Sequence, residues 1–202
     1  MKQERTLSIE GKEYTLLISD EPQALLEAKA SGRAVLGCLD TGNGEGASRD
    51  FQGIPYVVPS MEYVTEELLE LILRRYLGLP WLIDETERLY IREFVKEDAE
   101  NIPEEEYGKE EEIFRDPDKL EVYIKNQYGF YEYGTWAVLK KSPSLLIGMA
   151  GVSNPNLPET ALQALPTLPD DLCWLELGYH IFKPYRKNGY ATEAAKAILS
   201  YS

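Results

Sequence analysis

Histidine is nearly missing from this 202-residue chain, which carries one, and cysteine is scarce, with two. Zinc sites draw on clusters of Cys and His, and disulfide frameworks on an even, closely spaced set of cysteines. Cys38 and Cys173 form neither a CxxC pair nor part of a histidine cluster. No metal site and no disulfide scaffold is expected, and both cysteines read as buried free thiols. Positive charge is short as well: 21 basic residues stand against 35 acidic ones, for a formal net charge of -14. That balance disfavours partners held by phosphate neutralisation, so neither nucleic acid nor an anionic membrane is expected as a partner. No apolar run approaches the roughly 20 residues that span a bilayer, and the opening MKQERTLSIEGKEY is too polar for a secretory leader. A cytoplasmic location is the expectation.

What is present is an ordinary globular composition, 44% hydrophobic, in a chain long enough for one sizeable core or two small ones. The patterning favours two domains, residues 1–80 and 86–202, with LPWLIDETE as the linker. In the first, Tyr14, Leu16, Leu17 and Ile18 form an apolar run ended by Asp20, which is placed to cap a helix with Pro22 just inside it. That helix stops at Gly32, and residues 34–39 and 54–58 are two further apolar runs. A second helix follows at about residues 64–77, with Leu68, Leu69, Leu71, Ile72, Tyr76 and Leu77 on its apolar stripe. Continuous apolar strands among helices predict an α/β fold with a small parallel, Rossmann-like sheet. Gly42, Gly44 and Gly46 precede no helix, so they read as a surface loop and not a phosphate loop.

The second half begins with alternation, Leu89 and Ile91 on one face and Tyr90 and Arg92 on the other, as in a strand at a core margin. Glu104, Glu105, Glu106, Glu110, Glu111 and Glu112 concentrate negative charge, either as solvated helix ends or as an attractor for a protonated amine. Residues 134–139 and 145–152 predict a hairpin about the polar turn KKSPS, with Trp136 and Val138 facing the core. The proline-punctuated NPNLPETALQALPTLPDDL is a long loop, of the kind that is functional or disordered in compact domains. Residues 173–182 read as a strand closed by Pro184, after which Gly189 and small Ala191 open an Ala-rich helix. A helix N-terminus offers unpaired N–H groups and partial positive charge, so a glycine-permitted close approach there suits a pyrophosphate. Arg186 and Lys187 add cations beside it.

Arg186, Gly189 and Ala191 fit the spacing R/Q-x-x-G-x-G/A, and with the string GYATEA the segment resembles the acetyl-CoA signature of the GNAT N-acetyltransferase superfamily. The branch it resembles includes ribosomal-protein alanine N-acetyltransferases. ETERLYIREFVKEDAENI is similar to that family's first strand and the start of its first helix, and YGTWAVLKKSPSLLIGMAGVSN to its second and third strands. The resemblance implies a partial GNAT fold, a mixed and mainly antiparallel sheet with flanking helices, lacking the usual C-terminal strands. It implies acetyl-CoA as cosubstrate, paired with backbone groups of Ile181 and Phe182 and held by the turn of Arg186, Lys187, Asn188, Gly189, Tyr190, Ala191 and Thr192.

It further implies direct acetyl transfer in a ternary complex to an amine, either a protein N-terminus or a small molecule. Glu176 is the best placed general base, on a mostly buried strand that would raise its pKa, with a structural hydrogen bond as its other reading. His180 shares that strand face by alternation and reads as a packed residue first and a catalytic one second. Without further strands the central strand's edge stays open, so impaired catalysis or a homo-oligomer covering that edge is expected. The alternative is an inactive binding or assembly module that retains the pyrophosphate loop. LLISDEPQALLEAKASGRAVLGCLD resembles the closing half of haloacid-dehalogenase-like domains, but no Asp-x-Asp nucleophile motif precedes it. That likeness implies a degenerate scaffold.

Overall fold

Glu10 and Gly11 both hold positive φ, 50° and 78°, the two-residue turn whose twist suits an antiparallel hairpin. They join β1 (Lys2–Ile9) to β2 (Lys12–Ser19), with Ile9 opposite Lys12. The computed structural model describes residues 1–40, 50–106, 112–162, 164–169 and 172–201, and the chain divides into two compact units, Met1–Trp81 and Leu82–Ser202. Mixed α/β structure is found in both.

In the first unit, the hairpin is followed by α1 (Pro22–Ala30), β3 (Ala34–Asp40), β4 (Val57–Ser60) and α2 (Glu66–Tyr76). The sheet order is β1-β2-β3-β4, parallel from β2 to β4 and antiparallel at β1. The expected wholly parallel sheet is therefore a mixed one. β1 escapes a hydrophobicity reading because only Ile9 of its residues is buried. Leu16, Ile18, Leu36 and Cys38 pack against Leu69, Ile72 and Leu73 of α2, while Leu17 and Val35 pack against Leu25 and Ala28 of α1. Burial on both faces explains why β2 and β3 read as continuous apolar runs. Asp20 does not cap α1. Glu21 occupies the cap position, and the Asp20 carboxylate meets the N-terminal ammonium of Met1, a full opposite charge at the neighbouring strand end. α2 has a side-chain cap, the Thr65 hydroxyl accepting from the Leu68 N–H at 3.1 Å. The loop with Gly42, Gly44 and Gly46 lies outside the described residues.

The second unit runs β5 (Leu82–Glu85), β6 (Leu89–Arg92), α3 (Pro117–Tyr123), α4 (Gly129–Tyr131), β7 (Thr135–Lys140), β8 (Leu145–Ser153), α5 (Glu159–Leu162), β9 (Glu176–Ile181) and α6 (Tyr190–Tyr201). Short 3-10 turns fill residues 96–114 in part. The strands form one sheet in sequence order, every neighbouring pair antiparallel. Residues read as linker thus supply β5, a short edge strand in which only Ile83 is buried. One face of the sheet packs Phe94, Phe114, Leu120, Met149 and Phe182 into a core. Across the other runs α6, touching β5, β6, β8 and β9 and burying Tyr190, Ala194, Ala197 and Ile198. Gly151 allows β7 and β8 to close up, since a β-carbon there would sit 2.0 Å from the Gly134 carbonyl oxygen. Cys173 is exposed, contrary to the buried thiol expected, because it lies on the long segment before β9 and not in a strand.

Tyr128 ties the helical layer to the sheet. It is 1% exposed, its hydroxyl accepts from the Phe94 N–H at 3.2 Å, and it donates to the Thr135 carbonyl at 2.5 Å. The Thr135 N–H in turn donates to the Tyr123 hydroxyl at 2.8 Å. Burial holds the Tyr128 phenol well above its ordinary range, so it remains a hydroxyl. Tyr128→Phe leaves a buried N–H and a carbonyl short of partners and is expected to destabilise the second unit by about 1–3 kcal/mol in urea unfolding. Unchanged stability would show that the hydroxyl is dispensable.

Candidate functional site

The Phe182 N–H donates to the Ile147 carbonyl at 2.9 Å, just past the paired residues Ile181 and Gly148. In an antiparallel pair, backbone groups alternate between the neighbouring strand and the far side. His180 and Gly178 therefore bond to β8, while Ile181, Tyr179 and Leu177 turn their backbone groups to the other edge. Among the described residues no strand pairs with that edge. Phe182, expected to pair with the cosubstrate arm, is fully committed instead: its carbonyl accepts from the Tyr185 N–H at 2.9 Å. The Ile181 carbonyl accepts from Arg186 Nε at 2.7 Å, leaving its N–H directed to the open edge.

After β9 the chain makes a short turn at Lys183–Tyr185, with Pro184 inside it, and Arg186 is extended at φ -67° and ψ 160°. Lys187 and Gly189 then take positive φ of 63° and 82°. At Gly189 that conformation strains any L side chain. The Glu193 N–H makes the first helical bond, to the Gly189 carbonyl at 3.1 Å. The N–H groups of Tyr190, Ala191 and Thr192 precede it and have no acceptor inside the helix. Between the β9 edge (Tyr179, His180, Ile181), the turn (Tyr185, Arg186, Lys187, Gly189) and the helix start (Tyr190, Ala191, Thr192) lies a groove of about 370 Å³. Asn188 braces the turn, its side-chain amide donating to the Tyr185 and Arg186 carbonyls at 3.1 and 3.0 Å.

The turn is held from both sides. On one, Arg88 donates from Nε to Glu193 at 2.7 Å and from Nη1 to the Asn188 carbonyl at 3.0 Å, and its guanidinium lies 4.5 Å from the Tyr190 ring centre. The Thr86 hydroxyl donates to the same Glu193 at 2.6 Å. On the other side is Glu106, a member of the acidic run that is neither solvated nor turned to an incoming amine. Its side chain is 2% exposed, accepting from the Lys183 N–H at 2.7 Å and Arg186 Nη2 at 2.9 Å, with His180 Nε2 at 3.1 Å. Burial pushes the Glu106 carboxyl upward, but the Lys183 N–H, the His180 ring and the charges of Arg186 and Lys183 outweigh it and hold it below its ordinary 4.5. Glu193 is held low in the same way, its burial offset by Thr86 and Arg88. No local signal marks Glu106, whose partners lie 74 to 80 residues away. Of the rest of that run, Glu104, Glu105 and Glu112 are exposed, and Glu110 and Glu111 lie outside the described residues.

Glu176 is placed differently from expectation. It is exposed at the start of β9, where its carboxylate accepts from the Asn156 N–H at 3.1 Å. The strand's first residue reaches solvent because β9 is at the sheet edge, so the buried setting expected for it is absent. It shares a strand face with His180, roughly 13 Å further along at ordinary strand rise. Metal-ligating groups of three or more His, Cys, Asp or Glu are absent among the described residues, and no described helix is long and apolar enough to cross a membrane.

Residues 88–202 match the acetyltransferase (GNAT) domain family. Among solved structures, the chain is similar to an acetyltransferase from Agrobacterium tumefaciens strain C58, at 20% identity and a TM-score of 0.36, over 58% of this chain and 64% of that one. It thus spans less than two thirds of that protein's length. No protein with a curated description matches the chain.

The two depressed carboxyls set the sign of the acid response. A carboxyl held below its unfolded value stabilises the fold fully above about pH 4.5 and loses that contribution as pH falls through the folded value. The wild-type melting temperature is expected to drop on acidification from pH 5 toward about pH 3, and Glu106→Gln to flatten part of that drop. An identical acid limb in the variant would contradict the assignment.

Proposed function

Because the chain belongs to the GNAT acetyltransferase family, whose domain covers residues 88–202, we propose that it transfers acetyl from acetyl-CoA to an amine by direct attack in a ternary complex. One observation carries this reading: a strand edge that no described strand pairs with, a glycine turn and a helix N-terminus converge on one groove. The pyrophosphate is taken by first-turn N–H groups of Tyr190, Ala191 and Thr192 with the Lys187 charge beside them, and the Thr192 hydroxyl adds a donor. Arg186, Asn188 and Gly189 give the turn its shape. The pantetheine amides add to the β9 edge like a further strand, through the Ile181 N–H and the backbone of Tyr179.

An edge N–H also serves the thioester oxygen as it gains negative charge. The amine lone pair attacks the thioester carbon, the C–S bond breaks and the thiolate departs to take up a proton. The amine proton passes to Glu176, through water given that residue's exposed position. Holding both substrates side by side supplies up to roughly 7–11 kcal/mol of the acceleration. The acceptor in this reading is a protein N-terminus, with a small-molecule amine as the other option. The first unit, parallel from β2 to β4, acts as a scaffold akin to haloacid-dehalogenase-like domains without their nucleophile.

Calorimetric titration with acetyl-CoA tests the cosubstrate. Micromolar binding is expected, weakened roughly a hundredfold or more by Gly189→Glu, which combines backbone strain with a carboxylate facing phosphate. No binding together with self-association would favour an assembly module instead. For the base, Glu176→Gln is expected to lower kcat by about 10²–10⁴ with acetyl-CoA affinity unchanged, in a steady-state assay on an N-terminal peptide amine. An unaltered kcat would remove Glu176 from the chemistry.

A further inference from the structure

Arg186 stands where the spacing suggests a cation for the pyrophosphate, yet its guanidinium is already engaged at two ends. Nε donates to the Ile181 carbonyl at 2.7 Å, and Nη2 donates to Glu106 at 2.9 Å. Glu106 in turn holds the Lys183 N–H at 2.7 Å, so one buried carboxylate ties the start of the turn to its middle. His180 Nε2 lies 3.1 Å from Glu106 and 3.3 Å from Arg186 Nη2. Arginine only donates, so a neutral ring with its lone pair at Nε2 serves Arg186, whereas a ring protonated there serves Glu106. Either way the ring stays against this pair.

We propose that Glu106 is a positioning residue for the cosubstrate turn and that Arg186 acts through it as a brace, not as a phosphate ligand. A planar fork can reach a strand carbonyl and a carboxylate at once; a lysine ammonium at the same position cannot reproduce that geometry. With Arg186 so placed, residues 183–189 hold a single shape before any ligand arrives, and the first-turn N–H groups of α6 are presented without a further ordering cost. This rests on the acetyltransferase reading for the identity of the ligand, but the bracing itself is a property of the free protein.

The test uses the full chain and three variants, Glu106→Gln, Arg186→Met and Arg186→Lys. Amide hydrogen exchange at residues 183–189 is measured without ligand, and affinity for coenzyme A by calorimetry. All three are expected to speed exchange at the turn and to weaken coenzyme A about tenfold, with Lys no better than Met. Unchanged exchange in Glu106→Gln overturns the proposal. So does restored binding in Arg186→Lys, which would make Arg186 a plain phosphate cation. Should Glu106→Gln lose protection throughout the second unit, the Arg186 variants decide alone, since that side chain is 45% exposed and lies outside the core. A wild type that does not bind coenzyme A refutes the acetyltransferase reading, and the exchange measurement still decides whether Glu106 holds the turn.

Discussion

The hydrogen bond from the Phe182 N–H to the Ile147 carbonyl sets the parity of β9, and the candidate site depends on that parity. A shift of one residue would turn the backbone of His180 outward and commit that of Ile181 and Tyr179 to β8. As built, Ile181 and Tyr179 face the open edge with their N–H groups, while Phe182 closes the strand and buries its ring in the core. The strand end is thus anchored by a side chain on one face and a ladder bond on its inner edge, which frees the outer edge for a ligand.

The turn that follows is built of residues in conformations that do not hold themselves. Lys187 and Gly189 both sit at positive φ, and a lysine there costs energy that neighbouring contacts must offset. Arg88 with Glu193 and Thr86 grips it from the start of β6, and Glu106 grips it from the 3-10 turn at Glu104–Glu106. Both grips are charge-assisted and at least partly buried, which makes them stronger than surface pairs and expensive to break singly. A phosphate-binding loop gains from such bracing because the ligand then meets donors already aimed.

Much of the fold was legible because burial leaves a pattern. Leu89 and Ile91 alternate with polar neighbours in β6, and the apolar runs of β2, β3 and β8 announce strands covered on both faces. β1 and β5 were not legible: they are edge strands with one buried residue each, so pairing and not hydrophobicity makes them. Within the site, the glycine turn and the helix start could be read from local spacing, since their geometry is set by consecutive residues. Glu106 could not, because its role is fixed by tertiary contacts across more than seventy residues. The committed backbone of Phe182 and the exposure of Glu176 were hidden for a related reason: strand identity says nothing of which edge is free or where the strand begins.

In the proposed function, the turn and helix start at residues 186–192, with the outer edge of β9, receive a diphosphate-bearing cosubstrate. Amide chemical-shift mapping on isotopically labelled protein tests it most directly. Addition of coenzyme A is predicted to move the amides of Lys187, Gly189, Tyr190, Ala191 and Thr192 most, with Ile181 and Tyr179 following and Phe182 nearly still. Shifts concentrated in Met1–Trp81, or none at the helix start, would contradict the account.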